Sequence, residues 1–425
     1  MPVTATNSPP RLADLVMTRC DELAACSETP DCLTRRFLTT PMCDVHAHLR
    51  GWMEAAGLAT RVDDAGNLVG RRESPGASQT LLIGSHLDTV PGGGRYDGVL
   101  GVLIGLAVAE SLGDGELPFH LDVVGFSEEE GVRYSKPYLG SAAVAGVFQP
   151  EWLDRCDETG VPLREAISVF GLDPAKIAAA AYASDEVIGY VEPHLEQGPV
   201  LERADVPVGI VSGIVGQSRL RLRFVGEAGH AGTTPMAGRR DALVAAAAFV
   251  TGVRNATVST EGLRATVGQL AVTPGAPNVI AERVDLSLDV RHANDAVRER
   301  AVDQIITSGR RIAEAERCRF EIVEKTAQGA VVVDESLTRS LTEAVADAGH
   351  EPIRLPSGAG HDAVIMAQRF PVAMLFVRHP GGVSHHPDER VDRDDVGVAI
   401  EVLTQFVRRV AGRVASDSAP VSSAR

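Results

Sequence analysis

The fold is decided by residues 80–111, which read TLLIGSHLDTVPGGGRYDGVLGVLIGLAVAES. Thr80–Ser85 is short, apolar and partly β-branched, which is typical of a strand buried on both faces of an α/β sheet. Gly98–Ser111 has helical periodicity, and His120–Phe126 (HLDVVGF) has the character of a second buried strand. A strand, a helix and a strand in this order predict a doubly wound sheet.

The middle of the chain has a different pattern. Arg219–Phe224 (RLRLRF) and Val284–Val290 (VDLSLDV) alternate between polar and apolar residues, as half-exposed strands do. Asp241–Val253 and Ala296–Ala315 have helical periodicity. These segments predict a small α+β domain with one face of its sheet in water.

Buried α/β character returns near the C-terminus, for example in the apolar run Val372–Val377. We therefore expect an α/β catalytic domain in two pieces, 1–211 and 329–415, with a central mixed, mostly parallel sheet between helices. Residues 212–328 would form a small inserted α+β domain. The polar end of the chain, 416–425, predicts a disordered tail.

Composition disfavours nucleic-acid-binding and membrane-spanning proteins. The 425 residues can bury a large core, and they carry a formal charge of −16 with no long basic run. This charge disfavours nucleic acid and anionic membranes as partners. The apolar runs are much shorter than the roughly 18 residues of a membrane span. We expect a cytoplasmic protein.

The cysteines predict no disulfide framework. Four of the six lie near the N-terminus and are followed by two histidines: Cys20, Cys26, Cys32, Cys43, His46 and His48. A structural zinc site is one interpretation, but no CxxC pair is present. Scattered buried thiols are the favoured interpretation.

Ligand-type residues follow the first predicted strand. His86 and Asp88 are two positions apart, so on an extended strand they point to the same side. One can bind a metal while the other orients it through the free ring nitrogen. A glycine-rich turn can bring Asp97 back towards His86. A flexible polar loop is the alternative, and it is weakened because ligand-type residues recur at later strand ends.

Three adjacent carboxylates, Glu128–Glu130, follow the next strand. They repel one another, which is costly without a cation. One can bind a metal while its neighbour acts as general base, and a solvated acidic loop is the alternative. His194 closes a third apolar run, and His385 follows a Gly-Gly turn. Open α/β folds place their sites at such strand ends.

Further short segments occur in a fixed order between about residues 80 and 392: GSHLDTVPGGGRYDG, EEGVRY with LGS, HLEQGPVLE, GHAGTTPM, PNVI, DVRH, SGAGHDA and SHHPDE. With them the chain resembles the metal-dependent amidohydrolase and carbamoylase branch of the zinc-aminopeptidase-like hydrolases. That branch contains allantoate amidohydrolases, N-carbamoyl-L-amino-acid hydrolases and β-ureidopropionases.

The resemblance implies two divalent metal ions per subunit. His86 and His194 would bind one ion. Glu130 and His385 would bind the other, and Asp97 would bridge the two. Zinc or manganese suits such a mixed ligand set, and cobalt and nickel also fit.

The resemblance also assigns the residues beside the metals. Glu129 would be the general base, and Asp88 would stand behind His86. Of the adjacent His385 and His386, we assign the ligand to His385 because it follows Ser384 as in the family pattern.

The implied substrate contacts come mostly from the inserted domain, often from that of a partner subunit. The resemblance therefore implies that residues 212–328 are a lid and dimerisation domain and that the protein is a homodimer. Arg291 offers a bidentate fork for a carboxylate. His230 can stabilise an oxyanion, and Asn278 can donate an amide hydrogen bond. Gln197 and the turn at Gly358, Ala359 and Gly360 would complete the pocket.

The implied reaction is hydrolysis of a ureido (carbamoyl) C–N bond of a small ureido acid. Glu129 would take a proton from the attacking water and return it to the leaving nitrogen. Phe126–Gly146 and the segment GYVEPHLEQGPVLE resemble plant-type allantoate amidohydrolases, which favours allantoate and a place in purine and ureide nitrogen catabolism. An N-carbamoyl-L-amino-acid hydrolase or β-ureidopropionase is the alternative.

Three other hypotheses about the function remain open. One is a plain dipeptidase, although HLEQG and GHAGTTPM favour the ureido branch. A second is a non-catalytic ureide-binding homologue. The third rests on His46-Ala-His48, which resembles the HxH pair of TIM-barrel amidohydrolases; that pair lies in a helical stretch, where positions i and i+2 do not share a face.

Overall fold

A computed structural model describes residues 8–113 and 115–417. They form two compact units. The larger unit combines the residues up to Ser212 with those from Val333 onward, and the smaller unit is Gly213–Val332. The last helix continues to Asp417, two residues into the predicted tail, and the rest of that tail lies outside the described residues.

The strands are β1 (Ala59–Val62), β2 (Leu68–Arg72), β3 (Thr80–His86), β4 (His120–Phe126), β5 (Val187–Leu195), β6 (Val208–Ile214), β7 (Gly216–Val225), β8 (Gly229–His230), β9 (Arg264–Thr266), β10 (Leu270–Thr273), β11 (Val279–Ile280), β12 (Arg283–His292), β13 (Arg319–Gln328), β14 (Arg354–Ser357) and β15 (Val372–Val377). The helices are α1 (Pro9–Ala24), α2 (Thr40–Ala55), α3 (Val99–Leu112), α4 (Leu139–Val144), α5 (Leu163–Val169), α6 (Val200–Ala204), α7 (Ala242–Val258), α8 (Asp295–Ala315), α9 (Glu335–Asp347), α10 (Ala363–Met366) and α11 (Arg393–Asp417).

The sheet of the larger unit has the strand order β1-β2-β4-β3-β5-β15-β6-β14. Its four central strands, β4, β3, β5 and β15, run parallel. Antiparallel neighbours flank them, with β2 on β4 and β6 on β15. The predicted mixed α/β sheet is confirmed. Parallel central strands matter for function because their carboxyl ends meet at one edge.

Helix α3 is apolar on every side and almost wholly buried. A helix of this kind needs partners all round, and α3 has β3, β4 and β5 on one side and α1 and α11 on the other. Gly101 lets α3 approach β5 closely, since a Cβ there would lie 2.1 Å from the Pro193 carbonyl oxygen. Asp97 directly precedes this rigid helix.

The smaller unit has an antiparallel sheet in the order β10-β12-β7-β13, with β9 also on β12. Leu220, Leu222 and Phe224 of β7 are buried against α7 and α8. Between them, polar side chains of β7 point the other way, and Arg223 pairs with Asp285 of β12 at 2.7 Å. The predicted half-exposed strands are confirmed.

The histidines near the N-terminus do not form a ligand pair. Both lie on α2, where buried His46 packs against Phe170 and exposed His48 lies beside Trp52. All six cysteines are free thiols, and no group of candidate metal ligands found in residues 8–113 and 115–417 contains a cysteine. No helix in those residues combines the length and hydropathy that crossing a membrane requires.

We expect Gly101→Ala to lower the free energy of unfolding by about 1–3 kcal/mol, because the added methyl group forces α3 away from β5. Gly412→Ala in α11 is the matched control, since a Cβ there meets nothing within 4 Å. It should raise stability by roughly 0.5–1 kcal/mol. Urea unfolding followed by circular dichroism measures both. Equal effects of the two substitutions would contradict the close packing of α3.

Candidate metal centre

The predicted ligands meet at the carboxyl edge of the parallel strands. His86 ends β3, and Glu129 and Glu130 lie three and four residues after the end of β4. His194 lies at the end of β5, and His385 lies in the segment after β15. The first four were predicted from their places after apolar runs and His385 from its place after a Gly-Gly turn, and the parallel arrangement of the strands brings these places together.

Three groups of side chains have ligand atoms within 4.8 Å of one another. The groups are His86, Asp97 and His194; His86, Glu129 and Glu130; and Asp97, Glu130 and His385. Asp97 Oδ1 lies 3.2 Å from His194 Nε2 and 3.9 Å from His86 Nε2. Its other oxygen, Oδ2, lies 3.2 Å from His385 Nε2. One carboxylate oxygen therefore faces each predicted ion position.

Two histidine rings are oriented by backbone carbonyl oxygens. His86 Nδ1 lies 3.0 Å from the Asp88 carbonyl oxygen, and His194 Nδ1 lies 3.0 Å from the Leu195 carbonyl oxygen. With Nδ1–H as donor, each ring directs its Nε2 lone pair towards Asp97. Two lone pairs and a carboxylate oxygen then face one point, which is the arrangement that a bound cation requires.

A glycine lets His86 take this position. Gly98 has φ +68°, and a Cβ there would lie 2.4 Å from His86 Cε1. Both the left-handed backbone and the close approach of the ring exclude a side chain. Gly98 thus brings the His86 ring and the Asp97 backbone together.

Asp88 holds the acidic turn after β4. Its carboxylate accepts hydrogen bonds from the backbone N–H groups of Glu129 at 3.0 Å and of Glu130 at 3.1 Å. The same carboxylate lies 3.6 Å from His86 Nδ1, farther than the Asp88 carbonyl oxygen. Asp88 therefore ties the end of β3 to the ligands that follow β4, as well as standing behind His86.

The centre concentrates buried negative charge. Burial raises the pKa of Glu129 well above its usual value and that of Glu130 to about 7. Burial also opposes ionisation of Asp97, but His385, His194 and His86 bring its pKa below the usual range. Burial lowers the pKa of His194 to about 4, so this ring is neutral, as a ligand must be.

These residues fit a divalent cation. Asp97 Oδ2 is buried and accepts no hydrogen bond from the described residues, although His385 lies close to it. Mixed imidazole and carboxylate donors suit zinc, manganese, cobalt or nickel. A cation among them would satisfy the orphaned oxygen and relieve the repulsion between the carboxylates.

The three consecutive glutamates have different surroundings. Glu128 turns away from the centre and accepts backbone N–H groups from Arg133 and Tyr134. Glu129 lies with His86 and Glu130 in the second ligand group, and its role as general base stays a prediction. Glu130 also lies 3.4 Å from His385 Nε2.

The adjacent histidines of the C-terminal segment diverge. His385 Nε2 faces Asp97 and Glu130. His386 instead lies 3.5 Å from the exposed carboxylate of Asp388. The structure thus places the predicted His385, and not its neighbour, at the centre.

Two of the predicted substrate contacts lie in the larger unit. The Gln197 side chain donates to Asp97 Oδ1 and to Ser384 Oγ, each at 3.1 Å. The turn at Gly358 and Ala359 is closed by Ser357, whose hydroxyl accepts the Ala359 N–H at 3.2 Å. Gln197 therefore contacts a predicted ligand, and its contact with substrate stays a prediction.

The other predicted substrate residues lie in the smaller unit. His230 and Asn278 are adjacent there, because β8 pairs with β11 and the Asn278 carbonyl accepts the Ala231 N–H. The Gly232 N–H donates to His230 Nδ1, which leaves Nε2 as the protonated nitrogen of a neutral ring. Arg291 forms a two-pronged pair with Asp289 at 2.8 and 3.1 Å.

Sequence reasoning missed two buried residues of the centre. The His361 ring packs edge-on against His194 with centroids 4.5 Å apart, and Ser357 Oγ lies 2.8 Å from its Nε2. Glu389 accepts hydrogen bonds from the backbone N–H groups of Tyr96 and Asp97. Both residues stand in segments that carry the family resemblance, SGAGHDA and SHHPDE, but nothing in those segments indicates which partners they contact.

Comparisons with known proteins agree with this geometry. A sequence profile of peptidase family M20/M25/M40 matches residues 82–409. An N-carbamoyl-L-amino acid amidohydrolase from Geobacillus stearothermophilus is 40% identical over 363 residues, which cover 85% of this chain and 89% of the relative. An allantoate deiminase from Arabidopsis thaliana is 37% identical over 430 residues, which cover 93% and 82%.

The fold is shared as well. The crystal structure of a hydantoinase/carbamoylase family amidase from Burkholderia ambifaria matches with a TM-score of 0.86 and 33% identity, over 94% of this chain and 98% of that one. The predicted relationship to metal-dependent amidohydrolases is thereby confirmed. The chain belongs to peptidase family M20/M25/M40.

Proposed function

We propose that this protein hydrolyses a ureido C–N bond of a small ureido acid, with two divalent ions bound around Asp97. The observation that carries the proposal is the position of that carboxylate. One of its oxygens faces His86 and His194, and the other faces His385. Glu130 joins Asp97 and His385 in the group proposed for the second ion. Zinc or manganese is the proposed metal.

The bound ions would supply Lewis-acid polarisation of the substrate carbonyl and a lowered pKa for water. Glu129 takes the proton of the attacking water and returns it to the leaving nitrogen. Burial suits Glu129 to this role because it raises the pKa of the carboxyl group well above its usual value. The Asp88 carboxylate accepts the backbone N–H of Glu129 and so holds Glu129 in place.

Residues of the smaller unit are the proposed substrate contacts. The neutral His230 ring can donate from Nε2 to an oxyanion, and the exposed Asn278 amide can donate beside it. The guanidinium of Arg291 already binds a carboxylate, that of Asp289, with two-pronged geometry. A substrate carboxylate would bind the same fork. We propose a homodimer in which this unit completes the site of the neighbouring subunit.

Allantoate is the proposed substrate, with ureidoglycine, ammonia and carbon dioxide as products. The allantoate deiminase of Arabidopsis thaliana aligns with 93% of the chain. An N-carbamoyl-L-amino acid is the second candidate, because the amidohydrolase named for that substrate is 40% identical. Both candidates carry a carboxylate and a ureido group, so the same centre and the same Arg291 serve either.

A substrate panel tests the proposal. The purified protein is loaded with Mn²⁺ or Zn²⁺ and offered allantoate, N-carbamoyl-L-amino acids, 3-ureidopropionate and dipeptides. Ammonia release, or for dipeptides amine release, is then measured. We expect the highest kcat/KM with allantoate and none with dipeptides. Higher kcat/KM for N-carbamoyl-L-amino acids would select the second candidate, and no release from any ureido acid would contradict the proposal.

Glu129→Gln should keep its bound metal and lower kcat by roughly 10²–10⁴-fold, because an amide cannot accept the proton of water. Metal analysis and ammonia release are measured on the same sample. Glu128→Gln is the matched control and should keep most activity, since its amide oxygen can still accept the N–H groups of Arg133 and Tyr134. Full activity of Glu129→Gln would remove Glu129 from the role of base.

His385→Ala should lower the metal content of the protein from two ions towards one. The reason is that His385 Nε2 is the imidazole nitrogen that faces Asp97 Oδ2 and Glu130. His386→Ala should leave the metal content unchanged, because that ring lies beside Asp388. Metal analysis after dialysis against a fixed Mn²⁺ concentration compares the two variants. Loss of metal in His386→Ala but not in His385→Ala would make His386 the ligand in place of His385.

A further inference from the structure

A closed ring of hydrogen bonds joins three segments of the candidate centre; we call it the Glu389 ring. Its members are Asp97, Gln197, Ser384 and Glu389. Glu389 Oε1 accepts the backbone N–H of Asp97 at 2.9 Å, and Oε2 accepts the Ser384 hydroxyl at 3.2 Å. Gln197 closes the ring with its bonds to Ser384 Oγ and to Asp97 Oδ1.

Glu389 is a costly residue at this position. Its side chain is buried, with 3% of its surface exposed, and it lies against the backbone of Gly94, where a Cβ would come within 2.3 Å of it. Among residues 8–113 and 115–417, no arginine, lysine or histidine forms an ion pair with it. Its partners are two backbone N–H groups and a hydroxyl. Burying a carboxyl group without a cationic partner is unfavourable, which indicates that Glu389 is kept for the hydrogen bonds that it accepts.

The exposure of His385 indicates what these hydrogen bonds hold in place. Its side chain is 48% exposed and its φ is +58°, so neither packing nor regular secondary structure holds the ring in place. The neighbouring Val383 and His386 are exposed too. Ser384 and Glu389 lie on either side of His385 in the sequence. Glu389 accepts the backbone N–H of Asp97 and the Ser384 hydroxyl, and Ser384 Oγ accepts the Gln197 amide. The Glu389 ring therefore connects the segment of His385 directly to Asp97 and Gln197 of the centre.

The other histidines of the centre have independent support. His86 and His194 are buried in strands β3 and β5, and backbone carbonyl oxygens orient their rings. Loss of the Glu389 ring would leave both of them in place. The two predicted ions therefore depend on Glu389 to different degrees.

We propose that Glu389 is a positioning residue, which fixes Asp97 and His385 relative to each other and so builds the ion site of Asp97, Glu130 and His385. This inference rests on the proposed two-metal function. Both ions share Asp97, but only the second also has His385, so the inference assigns to Glu389 a larger effect on the ion of His385 than on that of His86 and His194.

The test is a titration with Mn²⁺ alone, by calorimetry and by metal analysis, of the full-length protein. For Glu389→Ala we expect one site to weaken by about 10- to 100-fold and the other to stay within about threefold. Glu389→Gln should keep nearly normal affinity at both sites. The reason is that the amide oxygen can accept the N–H groups of Tyr96 and Asp97, and the amide N–H can donate to Ser384 Oγ.

Glu202→Ala is the matched control. Glu202 Oε2 accepts the Gly381 N–H at 3.0 Å, so it also holds the segment after β15, but it contacts none of the predicted ligands. Its Mn²⁺ affinities should equal those of the unmodified protein. The melting temperature of each variant without metal separates loss of folding from loss of an ion site.

Normal binding of both Mn²⁺ ions by Glu389→Ala would overturn the inference, even if the melting temperature falls. An equal loss in Glu202→Ala would overturn it too. If Glu389→Ala does not fold, Ser384→Ala decides: a smaller loss at the same single site supports the inference, and unchanged affinities contradict it. If the unmodified protein binds fewer than two ions, the two-metal function itself is wrong.

Discussion

The rest of the structure depends on the cost of burying several carboxylates at one edge of a sheet. Glu129 and Glu130 have raised pKa values because burial opposes their ionisation, and the carboxylate of Asp97 lies within 4 Å of three histidine rings. Such a cluster is unstable without positive charge. The parallel strands that create the edge, the glycines that let rings and backbone approach, and the neutral His194 all serve to hold a cation there.

Two acidic residues outside the ligand groups work in the same way. Asp88 accepts the N–H groups of Glu129 and Glu130, and Glu389 accepts those of Tyr96 and Asp97. In each case a carboxylate accepts hydrogen bonds from two successive backbone N–H groups of a segment that carries predicted ligands. The precision of the centre thus comes from backbone contacts as much as from the ligands themselves.

The sequence predicted the sheet and the cluster of possible metal ligands because both leave local signals. An apolar run followed by a histidine or carboxylate marks a strand end, as at His86 and His194, and parallel strands bring such ends together. The Glu389 ring left no local signal, since Glu389 and Asp97 are 292 positions apart and no spacing rule connects them. The contact of Gln197 with Ser384 was missed for the same reason.

The long separation between Glu389 and Asp97 has a consequence for folding in the cell. The strand that carries His86 leaves the ribosome long before the segment that carries His385, and the whole smaller unit is synthesised in between. Contacts of such long range form late, because the chain entropy of closing the loop must be overcome first. The nascent chain therefore carries only part of the candidate centre until its last segment is made. Under the proposed two-metal function, the ion site that includes His385 would form only at the end of folding.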